Sequence, residues 1–186
     1  MKDFTVHPLT PDRWNDLVTL FGERGACGGC WCMSWRLPKA EFAKNTGSPN
    51  KRAFKELVDN GAPTGILAYA AGQPAAWCSV APRQDFIRLE NHRTLKRIDD
   101  QPVWSIVCLF VAKPWRQQGV SVALLNAAAE WARTQGAHIV EGYPTEPSQK
   151  LPDPFVYTGL ASAFRRAGYT EVARPSRTRP IFRKNM

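Results

Sequence analysis

The stretch Lys113–Leu125, KPWRQQGVSVALL, separates an apolar run, VWSIVCLFVA, from an alanine-rich one, ALLNAAAEWAR. The apolar run is rich in β-formers and reads as a central strand covered on both faces. The segment GVSVALLNAAAEWARTQG reads as a helix that Gly136 ends. A plain strand-to-helix loop has no need of a proline, a tryptophan, an arginine, two glutamines and a glycine. Such a loop can hold an anion. The first turn of a helix offers about four backbone N–H groups without internal partners, together with the positive end of the helix dipole. A tight turn wraps those donors around a phosphate. Gly119 lets a ligand approach the backbone, Arg116 adds charge, and Ser121 is small and can donate. Several donors in a row suit a pyrophosphate better than a single carboxylate.

The flanking sequence supplies a complete domain. FTVHPLTP reads as a first strand. TPDRWNDLVTLFG follows with Thr10 as cap, Pro11 in the first turn, and Trp14, Leu17, Val18 and Phe21 on one helical face. After the loop ERGACGGCWCMSWRLP comes a second helix, SPNKRAFKELVDNG, with Ser48 as its cap. TGILAYAAGQPAAWCSVAP reads as two strands turning at Gly72. RQDFIRLENHRTLKRIDDQP is a polar connection with one helical turn. Beyond the central helix, HIVEGYP is a strand, PTEPSQKLPDPF a surface loop, GLASAFRRAG a short helix closed by Gly168, and YTEVARP and RPIFRK two final strands. No repeat and no composition break divides the chain, so residues 1–186 form one α+β domain with a mixed sheet.

Lysine and arginine exceed aspartate and glutamate by nine (25 − 16), with a sequence pI near 9.6. This surplus favours polyanions: nucleic acid, an anionic membrane or a phosphorylated cofactor. The basic stretch RPSRTRPIFRK prompts a nucleic-acid reading, but no reader motif accompanies it and it alternates as strands do. No apolar run is long enough to span a bilayer, and MKDFTVHPLT lacks the apolar core of a leader, so a cytoplasmic location is expected. Five cysteines, an odd number, argue against a disulfide scaffold. Cys78 and Cys108 lie in apolar runs and read as buried thiols. Cys27-x-x-Cys30 has half of a zinc spacing with no second pair at a suitable distance, so neither a metal nor a redox dithiol is expected.

The phosphate loops of nucleotide hydrolases and dinucleotide oxidoreductases are both absent. What stands in their place is Arg116-Gln-Gln-Gly119-Val-Ser121 directly after CLFVA, with FRRAGYTEV at the far end. This resembles the acetyl-CoA loop of the GNAT N-acetyltransferase superfamily, Gln/Arg-x-x-Gly-x-Gly/Ala, with Ser121 as a small departure at the last position. The Cys-Trp-Cys-Met loop and the Glu-x-Tyr-Pro strand are similar to those of a bacterial branch of that superfamily. The resemblance implies a three-layer fold of α/β type. Its mixed, mostly antiparallel sheet has about six or seven strands, with helices on both faces. It also implies acetyl-CoA as co-substrate, direct attack by a primary amine in a ternary complex, and a homodimer as the assembly to look for.

Site roles follow from the same resemblance. Backbone groups of Gln117, Gln118, Gly119, Val120, Ser121 and Val122, with Arg116, would hold the pyrophosphate. The pantetheine arm would run along Leu109, Phe110 and Val111, and the Leu109 amide would polarise the thioester carbonyl. Phe164 would meet the cofactor where many relatives place an acid tyrosine, and a phenylalanine cannot donate a proton. Tyr157 and Tyr143 are the candidate acids, or the thiolate leaves unaided. Glu141 is the first candidate base: alternation puts Ile139, Glu141 and Tyr143 on one face, and apolar neighbours would raise its pKa. Glu90 and Cys108 are weaker candidates. His7, His92 and His138 each stand alone. Cys30, Trp31, Cys32, Met33 and Trp35 would line the acceptor site. The basic balance argues against polycationic acceptors unless Asp85, Glu90 or Glu146 builds a local acidic pocket. Without the helix tyrosine, a sensor that binds acyl-CoA without turnover is the alternative.

Overall fold

In the computed structural model residues 4–149 and 151–186 are described. Strand β1 (Phe4–Pro8) leads to helices α1 (Trp14–Phe21), α2 (Lys39–Lys44) and α3 (Ser48–Asp59). Strands β2 (Ile66–Ala70) and β3 (Gln73–Pro82) follow, then the one-turn α4 (Ile87–Glu90) and β4 (Trp104–Val111). Helix α5 (Val120–Thr134), β5 (Ile139–Gly142), α6 (Ala161–Arg166), β6 (Thr170–Ser176) and β7 (Arg179–Asn185) complete the chain. Helix α2 carries no cap or period strong enough to be read from sequence, and Ser48 is the first helical residue rather than the cap, a role that Gly47 takes.

The strands form one seven-stranded sheet in the order β1-β2-β3-β4-β5-β7-β6. All neighbours are antiparallel except β4 and β5. Alternation separates two apolar layers. Ile66, Ala68, Ala76, Cys78 and Val80 face α5 and α6, where Val120, Leu124, Leu125, Ala128 and Ala129 pack. The alanines bring this helix close to the sheet, which is why the run after Gly119 is rich in them. Leu67 and Trp77 face the other way, into Leu17, Phe21, Trp31, Met33, Phe54 and Val58.

Two features of β4 create the site. It pairs with β5 only over Trp104–Ile106 against Val140–Gly142, so the two parallel strands part beyond Ile106. On its other edge Ser79 pairs with Cys108 and Val80 with Ile106, which leaves Val107 as an extra residue. Such a bulge bends the strand and re-aims the side chains after it.

Candidate functional site

The parted end of β4 is the floor of a cavity of about 530 Å³. Val107, Cys108, Leu109, Phe110 and Val111 line it in succession. At the Val111 end stand Arg116 and Ser121, with Arg116 Nε donating to Val111 O at 2.9 Å. At the Val107 end stand Ser34 and Trp35; the remaining wall comes from Phe21, Phe42, Tyr157 and Leu160.

The loop before α5 has the shape of an anion cradle. Gln117 (φ +61°) and Gly119 (φ +80°) both take left-handed conformations, and Gln118 Nε2 braces the turn by donating to Pro114 O at 2.8 Å. A Cβ at Gly119 would meet no atom within 4 Å, so the glycine serves the backbone angle and an approach from outside, not internal packing. Among the described residues, no backbone N–H from Gln117 to Ser121 donates to a backbone carbonyl. The Val122 N–H, expected to join them, instead donates to Gly119 O at 3.0 Å and closes the first turn. Gln117, Gln118 and Gly119 are exposed, while the Val120 side chain belongs to the core. These donors fit an anionic group.

The strand edge differs from expectation. The Leu109 N–H, expected to face a thioester carbonyl, donates to Tyr157 O at 2.6 Å. The segment before α6 is held there because Thr145 N–H donates to Gly159 O at 2.9 Å and Ala161 N–H donates to Thr145 O at 3.0 Å. The Tyr157 side chain lines the cavity, and burial pushes its phenol above the ordinary value. Phe164, expected against the cofactor, lies fully buried between Tyr169 and Phe182, and its ring fills the space where Gly142 has no side chain. Leu160 and Ala163 reach the cavity from the same region instead.

The Cys-Trp loop divides its residues. Cys27, Cys30, Cys32 and Trp35 line the cavity; Trp31 and Met33 turn into the core beside Trp14, Phe21 and Phe54. Trp77 Nε1 donates to Cys32 Sγ at 3.0 Å, tying the loop to β3. Trp31 and Cys32 have positive φ, and a Cβ at Gly25 would come within 2.3 Å of the Trp31 ring. Burial, with Cys32 nearby, pushes the Cys30 thiol up to about 11. Cys108, read from sequence as a buried core thiol, lines the cavity and is only partly buried.

Glu141 and Tyr143 do share a face, but neither lines the cavity, and the carboxylate does not have the apolar neighbours expected for it. Glu141 Oε1 accepts from Arg83 Nη1 at 3.0 Å and from the Tyr143 hydroxyl at 2.5 Å, and Oε2 accepts from Arg183 Nε at 2.7 Å. Arg83 also binds Glu90 at 2.6 Å, and Arg183 binds Asp99 at 2.6 Å. With Arg97 on Glu90, the charges alternate along a chain from Arg97 to Asp99. Each buried charge has an opposite neighbour, which is what makes the burial tolerable. Arg83 Nη2 also donates to Leu95 O at 2.7 Å, so the network clamps the connection between β3 and β4 to the sheet. No sequence signal marked Arg83. Its role arises only when β3, β4, β5 and β7 lie side by side. Among the described residues, no carboxylate and no histidine lines the cavity.

The seven-stranded mixed sheet, whose one parallel pair parts beside the start of α5, is the fold of the GNAT acetyltransferases. The family model described as "Acetyltransferase (GNAT) family" matches residues 32–151, and the chain belongs to that family. The family uses acetyl-CoA as its co-substrate. Comparison with curated proteins gives no match to this sequence. Solved structures share the fold over essentially the whole chain. The polyamine N-acetyltransferase of Drosophila melanogaster, an enzyme that catalyses the formation of N-acetylagmatine, is 14% identical. That match covers 99% of this chain and 100% of that one, with a TM-score of 0.59. The PaiA N-acetyltransferase of Thermoplasma acidophilum in complex with coenzyme A is 12% identical, covers 99% of each chain, and has a TM-score of 0.54. Among the described residues, no helix is long and apolar enough to cross a membrane.

Proposed function

We propose that this protein transfers the acetyl group of acetyl-CoA to a primary amine by direct attack in a ternary complex. One observation supports this above the others: a single cavity joins the anion cradle before α5 to the Cys-Trp loop along the parted edge of β4. The cradle N–H groups of Gln117 to Ser121, with Arg116, would bind the pyrophosphate. The co-substrate supplies an activated acetyl group. Leu109 can offer its N–H to the acetyl carbonyl once the Tyr157 carbonyl gives up that bond.

Tyr157 is the acid of this reading. Its raised phenol stays protonated at neutral pH, so Oη holds a proton for the departing thiolate. The exchange balances. A nitrogen–carbon bond forms and the carbon–sulfur bond breaks. The amine proton passes to water, the thiolate takes a proton from Tyr157 Oη, and solvent restores it. Glu141, enclosed by Arg83 and Arg183, positions the β3–β4 connection in this scheme and does not touch the amine.

The test has two stages. Acetyl-CoA at several hundred times its Kd should stabilise the fold by about 3 kcal/mol or more, read as a thermal shift. Free thiol should then appear with at least one member of a broad amine panel. Absence of the shift refutes the cofactor assignment. A shift without thiol release favours an acyl-CoA sensor, which the Leu109–Tyr157 bond also suits.

A further inference from the structure

The two ends of the cavity differ in charge chemistry. Arg116 is the one charged residue among the described lining, and it belongs to the cradle end. At the other end, two guanidinium groups stand directly behind the lining. Arg88, on α4, donates from Nη1 to Ser34 O at 3.3 Å and to Ser34 Oγ at 3.2 Å. Its guanidinium lies 5.5 Å from the Trp35 ring. Arg179, at the start of β7, donates from Nη1 to Thr158 Oγ1 at 3.0 Å, beside Tyr157.

These two differ from Arg13, Arg36, Arg83 and Arg183, which are also withdrawn from the surface but ion-paired, and from Arg24, Arg52, Arg93, Arg166 and Arg177, which lack a carboxylate among the described residues but are exposed. Arg83, Arg97, Arg133, Arg165, Arg174 and Arg183 each carry an ion pair with a carboxylate, whereas among the described residues Arg88 and Arg179 have none. Both are half-buried, so water screens them only in part. Burial raises the Tyr157 phenol, and Arg179 and Arg88 partly offset that rise, which places both cations near the ring. Burial lowers His92, and Arg179, Arg88 and Arg83 lower it further. His92 in turn packs on Trp35, with ring centroids 5.8 Å apart. Trp35 Nε1 is buried and has no acceptor among the described residues. Four chain segments thus bring a positive field and an unused donor to one end of an otherwise apolar cavity.

We infer that the acceptor amine also carries a carboxylate: it is an amino acid with an apolar or aromatic body. The inference rests on the N-acetyltransferase reading and names the substrate of that same site. The anion lies toward Arg88, Arg179 and Trp35, and the body packs against Trp35, Phe21 and Phe42. Tyr157 links the two tasks, since its carbonyl meets Leu109 and its phenol lies near both arginines. A polyamine brings a second cation to a wall that, among the described residues, offers no carboxylate, and an unpaired charge held away from water is strongly disfavoured.

The experiment compares amines that differ only in the carboxylate. Phenylalanine, methionine and leucine are assayed by thiol release against phenethylamine, 3-(methylthio)propylamine and isoamylamine, with spermidine and agmatine alongside. The expected result is at least one amino acid with kcat/KM tenfold or more above its decarboxylated counterpart. Arg88→Met and Arg179→Met should each raise KM for that amino acid at least tenfold and leave the counterpart within threefold. Arg179→Lys should recover part of the loss. A variant that fails to fold is replaced by this lysine exchange and by the ratio of the two substrates, which unfolding alone does not change. Preference for the decarboxylated amines, for spermidine or for agmatine overturns the inference and leaves the acetyltransferase reading standing. So does an unchanged substrate ratio in the variants. No thiol release from any amine, with the acetyl-CoA thermal shift intact, also overturns it. Loss of the shift itself strikes the reading beneath it.

Discussion

Replacing Glu141 by glutamine tests whether the alternating charge chain or the cavity owns this side chain. The carboxylate is 1% exposed and takes three donors: Arg83 Nη1, Arg183 Nε and the Tyr143 hydroxyl. Glutamine keeps the shape, removes the charge and turns one acceptor into a donor. Whichever way the amide is oriented, its NH₂ group faces an N–H or an O–H. Breaking a buried ion pair from one side costs about 3–5 kcal/mol. Arg83 retains Glu90 and Arg183 retains Asp99, so the lower end applies, about 3 kcal/mol. For a chain of this length that corresponds to a Tm loss of roughly 6–12 °C. Circular dichroism melts at pH 7.5 read it directly, with Glu130→Gln, an exposed helix pair, as the control that should not move. The kcat of the folded variant, measured well below its Tm, should stay within about threefold of the parent, since general base catalysis is worth about a hundredfold or more. A Tm within 2 °C of the parent (roughly 1 kcal/mol or less) combined with a hundredfold loss of kcat would reverse the assignment and return Glu141 to the role of base.

Gly119→Ala meets no steric neighbour but forces a left-handed backbone on a side chain, so stability should fall by about 1 kcal/mol while coenzyme A affinity drops tenfold or more; calorimetric titration with an unchanged Kd counts against the cradle. Tyr157→Phe should lower kcat by about a hundredfold with little change in KM for acetyl-CoA, and full activity would show that the thiolate leaves without this acid. Because no carboxylate or histidine lines the described cavity, kcat/KM should rise with pH along the amine's own titration; a plateau beginning near pH 6–7, the usual histidine range, would reveal a base elsewhere. Acid stability should follow Glu90 and Asp99. Burial alone raises Glu90, but hydrogen bonds from Arg97 and Arg83 leave it lowered, and Arg183 lowers Asp99. Lowered folded values give stability that is complete above about pH 5 and fades as pH falls through them, so a Tm unchanged between pH 5 and 3 would contradict the network.

The sequence by itself determined the order of elements, α2 excepted, and the place of the turn before α5. Those depend on short-range causes: the apolar run before Lys113, the alanine face after Gly119, and the glycines that end the helices. A left-handed turn and a helix start are written within a few residues, so Gly119 and Ser121 could be read without any partner. Trp31 and Met33 could not be separated from Cys30, Cys32 and Trp35, because positive φ at Trp31 and Cys32 turns neighbouring side chains to opposite sides of the loop.

Tertiary structure alone decided what faces what. Strand alternation correctly put Glu141 and Tyr143 on one face, but that face meets Arg83 from β3's end and Arg183 from β7, residues 58 and 42 positions away. The family resemblance implied a cofactor contact for Phe164, and its ring lies buried against Gly142, which leaves room for it. The bulge at Val107, the bond from Leu109 to Tyr157, and the two arginines without carboxylates behind Trp35 join segments far apart in the chain. Local spacing carries no record of such encounters, since the energy that fixes them comes from burial and charge pairing after the sheet has closed.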